Sequence, residues 1–142
     1  VVVVSSKKKS VSSSEAHQRV ASSPLFADRQ RRAVQRMETL ISALSHQRWA
    51  EAFAITWDEF EDMHQLFETS ETPFTYRGIE TKNVLDECKK NWDQKSDGPI
   101  VTMDAGANVH LLFRMDQEKI FDKMKNKFSA LYPVFVGGKT QI

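Results

Sequence analysis

The 142-residue sequence predicts an α+β fold in which helices cover a small antiparallel sheet. Three observations carry that expectation. Apolar residues recur at helical spacing through the middle of the chain and again over Met115 to Leu131. The β-branched or apolar runs at Val1 to Val4, Pro99 to Met103 and Val109 to Phe113 are short, few and bounded by turn residues. With 40% hydrophobic residues the chain can bury one core, so a single domain is expected over 1–142.

The elements follow in order. Val1 to Ser5 reads as a strand, followed by the basic stretch Ser6-Lys7-Lys8-Lys9-Ser10. Val11-Ser12-Ser13-Ser14-Glu15 reads as a loop whose serine caps a short helix. After Ser22, Ser23 and Pro24, the residues Ala33, Val34, Met37, Leu40, Ile41 and Leu44 form the apolar face of a long helix. Arg29, Arg31, Arg32, Arg36 and Glu38 fill its other side. A second long helix carries Trp49, Phe53, Trp57, Phe60, His64 and Phe67 along one stripe, expected to be core, and Glu51, Asp58, Glu59, Glu61 and Asp62 on an expected solvated face.

Pro73 within Glu71 to Thr75 ends that helix, because proline forces its predecessor into extended geometry. Ile79, Val84, Leu85, Cys88 and Trp92 define a third helical face. Asp97-Gly98-Pro99 is a turn leading into the strand Ile100 to Met103, and Val109 to Phe113 is the next strand. Ile120, Phe121, Met124, Phe128 and Leu131 mark the buried side of a further helix over Met115 to Leu131. Tyr132 to Val136 closes as a strand, and Gly137-Gly138-Lys139 forms a tail. There is no internal repeat.

Several function classes are disfavoured. The 20 basic and 19 acidic side chains give a formal net charge of +1, which supplies no general attraction to nucleic acid or anionic membrane. No apolar run approaches the roughly 20 residues that span a bilayer. The lone Cys88 cannot form an internal disulfide, which fits a reducing cytoplasm, and its helical pattern makes it core filler. The chain opens on Val1 without an initiating Met, so it is expected to be part of a longer protein.

The segment Met103-Asp104-Ala105-Gly106-Ala107-Asn108-Val109 carries the chemical interest. It sets one carboxylate on a turn of small residues between two strands, where a ligand can approach the backbone and exposed N–H groups can cradle anionic oxygens. A lone Asp on such a turn is otherwise only a turn former. His64, an imidazole on an apolar face, is either a hydrogen-bonded core residue or part of a pocket lining.

The run from Pro99 to Val109 resembles the Asp-Ala-Gly-Pro-Asn motif of diphosphomevalonate decarboxylases, members of the superfamily of galactokinase, homoserine kinase and mevalonate kinase. Val11-Ser12-Ser13 followed by Ser22-Ser23-Pro24-Leu25 is similar to that family's serine loop and Thr-Ser-Pro-Leu segment. Met63-His64 followed by Pro73-Phe74-Thr75-Tyr76 is similar to its Met-His and Pro-Pro-Phe-Thr-Tyr stretch. The blocks occur in the family's order over nearly the whole chain. The resemblance implies the ferredoxin-like C-terminal domain, with 1–14 as the strand and serine loop linking it to an ATP-binding N-terminal domain.

The implied activity is ATP-dependent phosphorylation of the 3-hydroxyl of mevalonate 5-diphosphate, followed by loss of phosphate and carbon dioxide to give isopentenyl diphosphate. Asp104 is then the acid beside that hydroxyl, and Ser12 a ligand of the substrate's phosphate or carboxylate. Ser13, Ala105, Gly106 and His64 are further candidate substrate-binding residues. No protein-held metal site is expected here. ATP and Mg²⁺ are expected to be held mainly by the other half, because the chain has only 5 glycines and none forms a phosphate loop. A cytoplasmic homodimer is implied as well.

Ala107 stands at the motif's proline, Ala21 at a usual acid, and Glu15-Ala16 at the usual Gly-Met, where Glu15 sets negative charge near an expected diphosphate. These departures keep two sister activities open, mevalonate 3-kinase and phosphomevalonate decarboxylase. A non-enzymatic module that binds a partner through an exposed aromatic stripe is the other alternative.

Overall fold

The computed structural model describes residues 1–6 and 11–137, so most of the basic stretch, with Gly138 and Lys139 of the tail, lies outside the described residues. The elements are α1 (Ser13–Arg19), α2 (Arg29–Ser45), α3 (Trp49–Glu68), α4 (Ile79–Lys95), β1 (Ile100–Met103), β2 (Val109–Leu112) and α5 (Glu118–Ser129). Short 3-10 turns lie at Val20–Ser22 and Met115–Gln117. The α+β class expected from the sequence is the class observed.

β1 and β2 pair antiparallel, with Ile100 opposite Leu112 and Met103 opposite Val109. Strands were expected at Val1 to Ser5 and Tyr132 to Val136, but each is reduced to a single bridge, Val2 to Val109 and Val2 to Val134. The Val3 N–H donates to the Pro133 carbonyl at 2.9 Å. Pro133 has no N–H to return, and this interrupts the ladder.

The main core joins Val2, Val101, Met103 and Val109 of the sheet layer to Phe60 of α3, Val84, Leu85 and Cys88 of α4, and Met124 and Phe128 of α5. Ile100 points the other way, into a small cluster with Ala43 and Ala52. β1 is therefore covered on both faces, and its end is a rigid platform for the turn that follows.

The aromatic stripe of α3 is packed. Phe53 stacks on Trp92 at 4.5 Å between ring centroids, and Trp57 meets Phe60 edge-on at 5.1 Å. This removes the exposed stripe that the partner-binding alternative required.

α2 docks in the reverse sense to the expected one. Val34, Met37 and Ile41 are 51%, 65% and 56% exposed, whereas Arg29, Arg32 and Arg36 face α3. The acidic positions expected in solvent supply the reason. Arg32 grips Asp62 with two hydrogen bonds of 2.9 and 2.8 Å, Arg36 binds Asp62 and Glu59, and Arg29 binds Glu59. Of the acids on α3, Asp58 is exposed, but Asp62 is buried and Glu61 pairs with Arg77. Burial alone would raise the Asp62 carboxyl, but hydrogen bonds from Arg32 and Arg36 outweigh it and hold the group down at about 2.

Two further apolar positions sit outside the core. Ile79 is exposed because the buried side of α4 runs through Thr81, Val84, Leu85, Cys88 and Trp92, and a residue two places before Thr81 points to the opposite side. Leu131 is exposed because α5 ends at Ser129.

The root of the hairpin is knotted by polar contacts. The Gly98 carbonyl accepts from Trp49 Nε1 at 2.7 Å and from Gln117 Nε2 at 2.8 Å, and Trp92 Nε1 donates to the Pro99 carbonyl at 2.8 Å. α3, α4 and the turn before α5 thus fix where β1 starts, and its length fixes where Asp104 is delivered.

Candidate active site

Asp104 leaves β1 exposed, on a turn that is held at several points. The Gly106 N–H closes the turn on the Asp104 carbonyl at 2.8 Å. His64 Nε2 reaches the same carbonyl at 3.2 Å from α3. Thr81 Oγ1 of α4 donates to the Ala107 carbonyl at 2.9 Å, and the Ser5 N–H donates to Asn108 Oδ1 at 3.4 Å. The carboxylate itself forms no hydrogen bond or ion pair among the described residues, and its neighbours hold it facing solvent.

The serine loop is anchored to the same region. Val11, Ala16 and Val20 bury themselves with Leu66, Phe67 and Tyr76, and Ala105 packs against this second cluster. The Tyr76 hydroxyl donates to the Val11 carbonyl at 2.9 Å. Ser12 is the N-cap of α1, its Oγ accepting from the Glu15 N–H at 3.1 Å. A capping hydroxyl spends an acceptor site and keeps its own proton, so Ser12 can still donate outward.

The electrostatics link the two segments. Burial raises the Tyr76 hydroxyl, and the charges of Glu15 and then Asp104 act in the same direction, with Arg19 opposing. Both carboxylates are therefore within electrostatic reach of one phenol. Glu15 is not a bare negative charge, because Arg19 pairs with it one helical turn on. Arg19 also lies over the Phe74 ring at 5.4 Å.

Residues 1–136 match the family described as Mevalonate 5-diphosphate decarboxylase C-terminal domain. The chain belongs to that family. A mevalonate diphosphate decarboxylase from Legionella pneumophila is 43% identical with a TM-score of 0.84, the match covering 89% of this chain and 40% of that one. The mevalonate pyrophosphate decarboxylase of Streptococcus pyogenes shares the fold at 21% identity and TM-score 0.79, covering 93% of this chain and 41% of that one. A third structure, MDDEF in complex with MVAPP, AMPPCP and magnesium, aligns at 19% identity and TM-score 0.71 over 89% of this chain and 38% of that one. Among curated proteins no sequence matches. The chain thus spans about 40% of the length of its solved relatives.

Within this decarboxylase domain Ala105 packs against the cluster that holds Val11, the residue before Ser12, and Asp104, Ser12 and Ser13 are all exposed. Gly106 differs from its expected role. It is buried and its N–H is engaged by the Asp104 carbonyl, so it closes the turn and offers no donor to an anion. His64 differs too. It is 0% exposed, so it lines no pocket, and it reaches the site only through the Asp104 carbonyl. Burial and the neighbouring Arg77 push it down to about 4, a neutral imidazole at physiological pH.

Tyr76 and Thr81 are the residues that residue-by-residue reading missed. Tyr76 lies 65 positions from its partner Val11, and Thr81 gives no local signal because its partner Ala107 lies 26 positions away. No group of three or more His, Cys, Asp or Glu side chains among the described residues could hold a metal ion.

Proposed function

We propose that this chain is the catalytic-acid half of an ATP-dependent decarboxylase that converts mevalonate 5-diphosphate to isopentenyl diphosphate, ADP, phosphate and carbon dioxide. The observation that carries it is Asp104, an exposed carboxylate on a turn clamped from α3, α4 and the N-terminal segment, in a domain of the decarboxylase family. A carboxylate held this way accepts or orients the proton of the substrate's 3-hydroxyl as that oxygen attacks phosphorus. It also favours positive charge developing on the adjacent carbon as phosphate and carbon dioxide depart. Ser12 donates its remaining hydroxyl proton to a phosphate or carboxylate oxygen of the substrate, and Ser13, exposed beside it, is a second hydroxyl donor. Ala105 leaves room for substrate to approach the turn.

ATP supplies the phosphoryl group, and ATP and Mg²⁺ are held mainly by the N-terminal half of the full-length enzyme. The homodimer is part of the same proposal. The exposed row Val34, Met37, Ile41 and Leu44 on α2 is an apolar surface available to a second copy, and loss of dimer in Met37→Glu by sedimentation would support it.

The test is to assay the full-length enzyme with each mevalonate phosphate and ATP, following ADP and carbon dioxide together. Stoichiometric release of both from the diphosphate is expected. ADP without carbon dioxide makes the enzyme a 3-kinase, and preference for the monophosphate makes it the sister decarboxylase.

A further inference from the structure

We infer that His64 is a positioning residue for Asp104: its Nε2–H hooks the acid's main-chain carbonyl and sets the direction in which the carboxylate leaves the turn. The inference rests on the proposed role of Asp104 and adds a residue that never meets substrate.

The geometry requires this polarity. A main-chain carbonyl only accepts, so the contact of 3.2 Å makes Nε2 the protonated nitrogen of the neutral ring. The opposite nitrogen, Nδ1, is buried and has no hydrogen-bond partner among the described residues, which leaves it as the unprotonated lone pair. Phe67 and Tyr76 meet the ring edge-on at 5.5 and 6.5 Å between centroids, fixing its plane. A side chain this enclosed cannot turn to seek another partner.

The consequence concerns the backbone dihedrals of Asp104. The β1 ladder, ending at Met103 opposite Val109, fixes the backbone on the N-terminal side of Asp104. On the C-terminal side, holding the Asp104 carbonyl oxygen from another element limits φ and ψ together, and φ sets the direction of Cβ. Two donors hold that carbonyl, the Gly106 N–H from within the turn and His64 from a different element. The contact inside the turn moves with it and gives no external reference. His64 gives one, because α3 is packed into both clusters through Phe60, Leu66 and Phe67. Without it the turn keeps its downstream anchors, Thr81 at Ala107 and Ser5 at Asn108, but the Asp104 peptide loses its hydrogen bond to α3, and displacements of about 1 Å at a reacting group can cost about 100-fold in rate.

The experiment compares full-length parent, His64→Phe and His64→Gln. Phenylalanine fills the ring volume without a donor, whereas the Gln amide returns an N–H near the Nε2 position. His64→Phe is expected to lower kcat about 10- to 100-fold with KM within about 3-fold. Its peptides spanning 103–109 should also exchange amide hydrogens faster than in the parent. His64→Gln should recover most of kcat and the slow exchange. Equal losses in both variants, or parental kcat and exchange in His64→Phe, overturn the inference. Should His64→Phe fail to fold, ¹⁵N shifts of the parent imidazole decide, since a proton on Nδ1 excludes the hook. If the parent releases no carbon dioxide at all, the proposed function falls, while exchange at 103–109 still reports whether His64 holds the turn.

Discussion

The Tyr76 hydroxyl donates to the Val11 carbonyl at 2.9 Å across 65 residues of sequence, tying the segment before α4 to the loop that presents Ser12. Tyr76→Phe keeps the ring but leaves the carbonyl of a buried residue without this donor. A loss of about 1–3 kcal/mol in stability is expected, read by thermal or urea unfolding. The loosened serine loop should raise the substrate KM more than it lowers kcat, and unchanged KM would separate Ser12 from substrate binding.

Asp104→Asn is the direct test of the acid. The carboxylate is exposed and makes no ion pair among the described residues, so stability should stay within about 0.5 kcal/mol of the parent. Turnover of the full-length enzyme should fall by about 100-fold or more, with substrate affinity far less affected. Steady-state kinetics and a melt on the same sample check both halves.

His64 makes the fold sensitive to mild acid. Burial and Arg77 lower its pKa from 6.5 to about 4, while the Asp104 carbonyl, Glu68 and Glu61 oppose the shift. The unfolded chain therefore binds the proton first. Stability is fully present above 6.5 and declines as pH falls from there to about 4, by about 2 kcal/mol at pH 5. Urea midpoints at pH 7.5 and pH 5 measure the decline, and His64→Gln should remove that part of it.

The arginine cluster between α2 and α3 titrates in a lower window. Asp62 is held at about 2 against an ordinary 3.8, so its contribution is complete above 3.8 and is lost as pH falls through about 2. Its size is about 2 kcal/mol. Asp62→Asn should cost a similar amount at neutral pH, leaving Arg29 and Arg36 with Glu59 and Arg32 with the Leu25 carbonyl, and should flatten the unfolding profile between pH 4 and 2.

Gly98→Ala probes the root of the hairpin. A Cβ there would lie 2.8 Å from Trp92 Nε1 and 3.1 Å from Asn91 Nδ2. Neither can yield freely, since Trp92 donates to the Pro99 carbonyl and Asn91 to the Asp97 carbonyl. A loss of about 1–3 kcal/mol is expected from the melting temperature.

Legibility in the sequence followed the range of the interaction. The β1 and β2 strands, the Ser12 cap and the Asp97-Gly98-Pro99 turn depend on neighbours a few positions away, and the residues there announced them. The Asp104 turn was legible for the same reason, and its family resemblance was carried by contiguous blocks. The docking side of α2 was not legible. Its apolar row is the better hydrophobic face, yet the arginine row is the one that meets Glu59 and Asp62 of α3. Helical spacing ranks faces by hydrophobicity and cannot register a charge partner on another helix.

The sequence by itself determined the order of the helices and of the β1–β2 hairpin, the acid in its small-residue turn and the serine that caps α1, because turn chemistry, capping and periodicity are local. Tertiary structure alone decided what those residues face: that His64 is sealed in and hooks the Asp104 carbonyl, that the Gly106 N–H is already engaged, and that Thr81 and Tyr76 clamp the two loops. The reason is geometric. A hydrogen bond needs two groups within about 3 Å, and only the packed core brings residues 26, 40 and 65 positions apart to that distance.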